Sequence, residues 1–271
     1  MNPGLLNKSI REGLGVTTLC CFGIMIFEAL VSYIFWTYQE ELTSGIAEIE
    51  FIQNLINSMV GGRAGGMIGP GTLNSLAWVH PLVLIMVFAL EITLCTRVPA
   101  GEIDRGTIDV LLSLPVSRWA VYTAETVVWL GAGAALVGFA FLGSWLGYRW
   151  VPSEDRPEVY RIVFILVNLY SLYLCIGALS LMVSALSDRR GRAIGAVLAV
   201  VFTLLIWNFL APYFEPMDRL SFLNLLSYYK PMPILNEGTF PLRNSLILLG
   251  CAAPLWLAGG IIFSRRDICT V

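Results

Sequence analysis

Six long apolar segments dominate this chain, and they constrain its fold more than any other feature. Each is at least about 20 residues long, the length that a helix needs to cross the hydrocarbon core of a bilayer. They run over residues 14–38, 76–96, 120–148, 162–186, 193–214 and 242–263. The chain is 57% hydrophobic and only 13% charged, whereas a soluble domain is about a quarter charged. The sequence therefore predicts an all-α polytopic membrane protein, with one transmembrane domain over residues 1–271 and six transmembrane helices.

The distribution of Lys and Arg predicts the orientation of these helices. With six spans, both termini lie on the same side of the membrane. Of the 17 Lys and Arg residues, ten fall in the short segments on that side and seven in the longer loops opposite. Because short cytoplasmic loops are enriched in Lys and Arg, we predict that both termini are cytoplasmic.

The first outer loop, residues 39–75, begins with an acidic stretch whose apolar residues recur at helical spacing. This pattern predicts a helix that lies on the outer interface. The apolar positions are Ile46, Ile49, Ile52, Leu55, Ile56 and Met59. The glycine-rich second half, GGRAGGMIGPG, predicts a flexible hinge, and it lacks the GK[ST] ending of a phosphate-binding loop.

The last outer loop, residues 215–241, is unusually apolar for a loop. Pro231 and Pro233 rule out one continuous helix through it, and the adjacent Tyr228 and Tyr229 suit the headgroup zone of a bilayer. One interpretation is a partly re-entrant or interfacial segment. The other is a loop that simply packs on the membrane-spanning helices.

Four ionisable residues lie within or at the edge of the apolar runs: Glu28, His80, Glu91 and Glu125. Because a charge inside a bilayer is costly, such residues are candidates for a polar pathway, a gate or a proton relay. The alternative for Glu91 and Glu125 is a structural ion pair with an arginine near the cytoplasmic boundary. For His80 the alternative is an interfacial position, and for Glu28 it is a structural contact.

No catalytic or metal-binding constellation emerges from the sequence. The single histidine has no HExxH context, and the six cysteines form no CxxC pair, so we interpret the cysteines as apolar packing residues. The chain contains no GxxxxGK[ST] phosphate loop, so an ATPase that drives it must be a separate chain. The net charge of −2 argues against nucleic-acid binding.

Small residues at four-residue spacing predict close contacts between helices. The pairs are Gly143/Gly147 and Gly191/Gly195. Either pair is compatible with packing inside one chain or with a seam between two copies.

The segment between the second and third apolar runs, residues 97–118, is too polar to cross a membrane and too patterned for an idle linker. Its apolar residues are Ile103, Ile108, Leu111 and Leu112. Their spacing predicts a short amphipathic helix at the cytoplasmic surface, ended by Pro115 before the third span. The alternative is an ordinary interfacial loop.

This segment resembles the signature of the ABC-2 family of ATP-binding-cassette transporter permeases, in its type V exporter-like, six-span bacterial form. The matching residues are Glu102, Gly106, Thr107, Leu111, Leu112, Pro115, Ser117 and Arg118. The stretches SYYKPMPIL in the last outer loop and FSRRDI near the C-terminus are also similar to that family. One departure is at Ala124 and Glu125, where many relatives carry a glycine-lysine pair, so that the charge is reversed.

The resemblance implies a permease subunit of an ATP-driven exporter in a bacterial inner membrane. Two such subunits would pair, and two ATPase subunits carrying ATP and Mg would bind from the cytoplasm. The 97–118 helix would be the coupling helix, with Leu111 and Leu112 docking on the ATPase, Pro115 forming the bend and Arg118 the anchor. The N-terminal residues would form an elbow helix on the inner surface. The last outer loop would line or cap the exit.

Two other function classes can be compared with this one. A stand-alone secondary transporter would use Glu28 and His80 as a proton path, but the weak internal symmetry argues against it, because such folds often contain inverted repeats. An intramembrane enzyme would need a paired catalytic constellation, and the sequence offers none.

Overall fold

A computed structural model of the chain describes residues 3–47, 49–61, 70–113 and 115–267, and no strand occurs in those ranges. Six helical segments among these residues are long and apolar enough to cross a membrane. They are Pro3–Thr37, Gly71–Cys95, Arg118–Tyr148, Val159–Leu186, Arg190–Tyr213 and Leu242–Arg265. Each overlaps one of the six apolar runs, so the prediction of an all-α protein with six spans is confirmed.

We number the helices α1 to α13 in chain order. The first five are α1 Pro3–Thr37, α2 Gln39–Ala47, α3 Glu50–Val60, α4 Pro70–Val79 and α5 Pro81–Cys95. The next four are α6 Glu102–Asp104, α7 Ile108–Leu112, α8 Arg118–Tyr148 and α9 Val159–Leu186. The last four are α10 Arg190–Leu210, α11 Glu215–Arg219, α12 Pro231–Glu237 and α13 Leu242–Arg265.

Helix α1 is a single helix of 35 residues, and this differs from the predicted elbow followed by a span. The N-terminal residues contain no proline after Pro3, which stands in the first turn where proline is tolerated. Nothing therefore stops the helix from continuing into the apolar run. The polar first turns instead pack against the segment between α5 and α8, where Lys8 and Ser9 make contacts described below.

The second span is broken where His80 precedes Pro81. Proline has no backbone N–H and cannot continue a helix from the preceding turn, so α4 ends at Val79 and α5 begins with Pro81 in its first turn. The imidazole Nδ1 of His80 accepts a hydrogen bond from the backbone N–H of Leu82 at 3.3 Å and thereby caps α5.

Helices α1 and α8 pack along most of their lengths, and glycines on α8 make this possible. A Cβ atom added at Gly143 would lie 2.3 Å from the carbonyl oxygen of Met25, and one at Gly147 would lie 2.5 Å from that of Ala29. The Gly143/Gly147 pair therefore serves packing inside the chain. The same test at Gly191 meets nothing within 4 Å, so that face of α10 is open.

Helix α9 lies at the centre of the bundle, and 67% of its most apolar stretch is buried. It packs along α13 on one side and against α5 and α8 on the other. It meets α8 at Gly133, where an added Cβ would lie 2.1 Å from the ring of Tyr173. The Tyr173 hydroxyl donates to the backbone oxygen of Trp129 at 2.9 Å, which fixes the two helices at mid-length.

The outer loops fold back on the spans. The stretch predicted to form one interfacial helix forms two helices, α2 and α3, which are separated at Ile49. Most of the predicted glycine-rich hinge lies outside the described residues. The last outer loop is a succession of short helices and 3₁₀ turns that ends in α12. Pro231 and Pro233 stand in the first turn of α12, where they remove no helical hydrogen bond.

We expect Gly143→Ala to lower the free energy of unfolding by about 1–3 kcal/mol, because the new methyl group collides with the backbone of α1. Gly131→Ala on the same helix is the matched control, since its Cβ meets nothing within 4 Å. It should leave stability unchanged or raise it by up to about 1 kcal/mol through helix propensity. Unfolding of the detergent-solubilised protein measures both, and equal effects would contradict the α1–α8 contact.

Candidate functional site

The segment between α5 and α8 is not one helix. It begins with a buried turn of π-helical form at Arg97–Gly101, which contains a cis bond between Val98 and Pro99. The short α6 and α7 follow, separated at Gly106, whose φ of +67° lies in the left-handed region that favours glycine. The predicted single amphipathic helix over residues 97–118 is therefore wrong. The first break in the segment is at Gly106, and not at Pro115.

Glu102 fastens this segment to the rest of the chain. Its carboxylate is buried and accepts hydrogen bonds at 2.8 Å from Lys8 of α1 and at 2.8 Å from Arg105. The Thr107 hydroxyl donates to the other oxygen. Burial raises the pKa of Glu102, but the hydrogen bonds from Lys8 and Thr107 and the charges of Lys8 and Arg105 outweigh it, so the pKa lies below its ordinary value. Glu102, which matches the family signature, thus holds the segment in place and is not exposed to a partner. We call this set of contacts the Glu102 clamp.

Leu111 faces into the protein, whereas docking on the ATPase was the role predicted for it. Ile108 is 0% exposed and Leu111 only 7% exposed, so both side chains hold α7 against the spans. Leu112 is half-buried. The apolar side chain that projects outward from α7 is Val110, which is 69% exposed. Because α7 restarts after Gly106, its inward face is set by that glycine.

Arg118 anchors the start of α8 to the end of α13. Its guanidinium donates to the backbone oxygen of Phe263 at 3.2 Å and also to that of Arg266. Pro115 is exposed in the non-helical stretch before α8, as expected for a bend. The anchoring contact of Arg118 is therefore with the family-like C-terminal stretch.

The charge of Glu125 is neutralised by Arg97, as the structural interpretation of this residue predicted. The Arg97 Nη2 lies 2.5 Å from Glu125 Oε2, and both side chains are buried. Ser9 of α1 completes the group, since its hydroxyl donates to Glu125 and its backbone oxygen accepts from Arg97 Nη1 at 2.7 Å. Glu12 lies 3.7 Å from Arg97 Nε. The reversed charge at this position is thus balanced within the chain.

Glu28 and Glu91 are different, because both carboxylates are 0% exposed and lack a hydrogen-bond partner among the described residues. Glu28 lies in α1 near the loop residue Tyr229. The pKa of Tyr229 is raised mainly by burial and secondarily by the nearby charge of Glu28. Glu91 lies in α5 and, unlike Glu125, does not pair with any of the arginines that the structure describes. Two unpaired buried carboxylates remain candidates for a polar pathway.

His80 is not joined to Glu28 by a hydrogen bond in the described part of the chain. Its ring caps α5 through Nδ1 and packs on Phe27, with 4.8 Å between ring centroids. The structure therefore gives His80 a capping role and brings no direct proton path between these two residues.

The predicted outer-gate residues lie where the last outer loop meets the second span. The hydroxyl of the buried Tyr229 donates to the backbone oxygen of Trp78 at 3.0 Å. The Tyr228 hydroxyl donates to the oxygen of Phe222 within the loop at 2.7 Å. Pro231 is buried and Pro233 is half-buried in α12, which packs on α4. The loop is therefore fixed to the outer end of the second span.

The sequence alone does not assign partners to three arginines that tie elements together. Arg97 is the centre of the buried group with Glu125 and Ser9. Arg190 donates to the backbone oxygen of Thr93 at 3.1 Å. Arg266 binds the turn between α9 and α10, donating to Ala185 at 2.8 Å and pairing with Asp188. The available signal was their position at span ends, where arginines bind free helix carbonyls.

Six apolar spans, with a charged segment fixed to them by Glu102 and Arg97, define a multi-pass membrane protein. The chain belongs to the ABC-2 family, since the family described as ABC-2 family transporter protein matches residues 6–268. No curated protein matches the chain significantly. Members of this family are the membrane component of transporters, so the chain is an ABC permease.

We expect Arg97→Met or Glu125→Met alone to lower the free energy of unfolding by about 3–5 kcal/mol, because each leaves an uncompensated buried charge. The double variant leaves none, so its loss should be well below the sum of the two. A double-mutant cycle of unfolding in detergent measures this coupling. Strictly additive losses would contradict the ion pair.

A second expectation concerns pH. Because the folded-state pKa of Glu102 is lowered, its stabilisation is complete above the unfolded pKa of about 4.3 and is lost as pH falls through the folded value. Amide hydrogen exchange, corrected for intrinsic rates, should show protection of residues 105–113 falling over that range. In Glu102→Gln the protection should already be low near pH 7, and an unchanged wild-type profile would contradict the clamp.

Proposed function

We propose that this chain is the permease subunit of an ATP-driven ABC exporter. ATP and Mg would be bound by a separate ABC ATPase subunit, and two copies of that subunit would be present. This chain would bind neither of these cofactors. Family membership supports the pairing with an ABC ATPase. The chain would lie in a bacterial inner membrane with both termini in the cytoplasm, in keeping with the excess of Lys and Arg on that side.

The single observation that carries the coupling site is the exposure of Val110 on a segment that is otherwise fixed. Val110 is 69% exposed, whereas its neighbour Leu111 is 7% exposed. Contact with a partner would remove this apolar side chain from water, which is favourable. We therefore assign ATPase docking to the outward face of α7, with Val110 at its centre.

A rigid connection to the spans would convert movement of α7 into movement of the helices. Glu102 ties the segment to α1 through Lys8, and Arg97 ties it to α8 through Glu125. Leu111 and Leu112 would act from the inside, by holding α7 in place, with Gly106, Thr107, Pro115 and Arg118 shaping and anchoring the segment. ATP binding would matter through its different affinity for the inward and outward states.

The substrate route would run past the unpaired carboxylates of Glu28 and Glu91 toward the last outer loop. There Tyr228, Tyr229, Pro231 and Pro233 would form an outer gate. Two copies of the permease would pair, and the open face of α10 around Gly191 and Gly195 supports a contact between them.

The proton-coupled secondary transporter is the less favoured function. Family membership does not favour it, and His80 is occupied as the cap of α5. It would require transport by the isolated chain in a pH gradient, with loss of that transport in Glu28→Gln.

We expect Val110→Asp to abolish co-purification with the partner ABC ATPase, while the permease itself stays folded. The reason is that a charge would replace the apolar centre of the docking face without entering the core. Pull-down of the ATPase and its substrate-stimulated ATP hydrolysis are the measurements.

Leu186→Asp is the matched control. Leu186 is an exposed apolar residue at the same end of the bundle as the two termini, but it lies outside the segment between α5 and α8. It should leave the ATPase bound. Leu111→Asp should instead destabilise the permease, since it buries a charge. Retained ATPase and transport in Val110→Asp would refute the docking face.

A further inference from the structure

A cleft separates α8 from α9 on the side of the bundle opposite the termini. The two helices touch at mid-length, where Gly133 meets Tyr173. Beyond that point α8 continues along α1 and α9 continues along α13, so they diverge. The cleft has an outer part of about 580 Å³ and an inner part of about 320 Å³, and Phe141 lines both.

The inner part of the cleft is almost wholly apolar. It is lined by Ala134, Gly138, Phe141, Val163, Val167 and Tyr170 among others. A Cβ atom built at Gly138 meets nothing within 4 Å, so a groove remains beside that residue. The hydroxyl of Tyr170 is already used by the backbone oxygen of Leu130. An acyl chain is the type of ligand that such a surface accepts.

The mouth of the cleft is cationic and aromatic. Arg149 lies over the Trp145 ring at 5.6 Å and stands at the rim beside Arg156. Arg156 uses part of its guanidinium to bind the backbone oxygens of Val151 and Arg149, at 2.7 and 3.2 Å. The acid at the mouth, Glu158, is engaged by Arg161 at 2.7 Å. Guanidinium groups are suited to phosphate oxygens.

The length of the cleft matches one leaflet of a bilayer. From Ala134 to Arg149 the helix rises about 22 Å. Half of a bilayer with its headgroups measures about 20–22 Å. The arginines would therefore stand at the headgroup level and Ala134 near the midplane.

We propose that this cleft is a binding site for a phospholipid of the leaflet opposite the termini. The lipid phosphate binds Arg149 and Arg156, and one acyl chain lies along Phe141 and Gly138. The site lies on the side of the bundle opposite the docking face proposed for the ATPase.

Two variants test the two ends of the site. Gly138→Leu fills the apolar groove from within, and the open space beside this residue means that the side chain enters without a collision. Gly131→Leu is the matched control, because it also meets open space on α8 but lines a different groove, with Leu14 of α1. Arg149→Gln removes a headgroup charge and keeps the polar character of the rim.

The experiment uses the full-length permease in detergent and a phosphatidylglycerol with a photoreactive acyl chain. We expect saturable labelling of residues 134–141 and 163–170, mapped by mass spectrometry, with displacement by unlabelled phosphatidylglycerol and none by inorganic phosphate. Gly138→Leu and Arg149→Gln should each weaken binding by about tenfold, whereas Gly131→Leu should not.

Three results would overturn the proposal. Labelling of the cleft that does not saturate, or that Gly138→Leu leaves unchanged, would reduce the cleft to ordinary lipid-exposed surface. Displacement by inorganic phosphate would point to an anion site without a lipid chain. Loss of dimer in Gly138→Leu, with no cleft labelling in the wild type, would assign the cleft to a second copy of the permease.

Discussion

The ion pair between Arg97 and Glu125 is the constraint on which the structure depends at the end of the bundle where both termini lie. Both side chains are buried, and a buried charge is tolerated only when it is paired and hydrogen-bonded. Arg97 can meet Glu125 and the backbone of Ser9 only if α1, α8 and the turn after α5 converge at one point. The Glu102 clamp then follows, because the segment leaves that turn with its first residues already fixed.

The two remaining buried carboxylates show why this pairing matters. Glu28 and Glu91 are as deeply buried as Glu125 but have no partner among the described residues. An unpaired charge at such a position carries a free-energy cost that packing alone does not repay. The fold therefore separates its acids by role. Glu102 and Glu125 hold elements together, whereas Glu28 and Glu91 make no hydrogen bond to any described residue and are the two carboxylates on the proposed substrate route.

Hydropathy predicted the six spans because their length and apolarity depend on composition alone. It did not predict the face of α7, because a single positive φ at Gly106 resets the helical phase and moves Leu111 inward and Val110 outward. The pairing of Glu125 with an arginine was one of two stated interpretations, but the choice of Arg97 depends on tertiary packing. The elbow that the family resemblance implied is absent, because the first turns continue into α1 as one helix and Lys8 binds the segment.

The helix pairs α1–α8 and α9–α13 meet at Gly133 and Tyr173 and separate beyond that contact. On the terminal side both pairs are tied to the same short region: Arg118 joins α8 to the end of α13, and the Ser184 hydroxyl of α9 accepts from the N–H of Ala100 at 3.2 Å. A force applied to the segment between α5 and α8 would therefore rotate both helix pairs about the contact between Gly133 and Tyr173. The α8–α9 cleft lies on the far side of that contact, so its width would change as the pairs turn. A lipid held there would resist closure of the cleft, and the affinity for that lipid would differ between the states of the transporter.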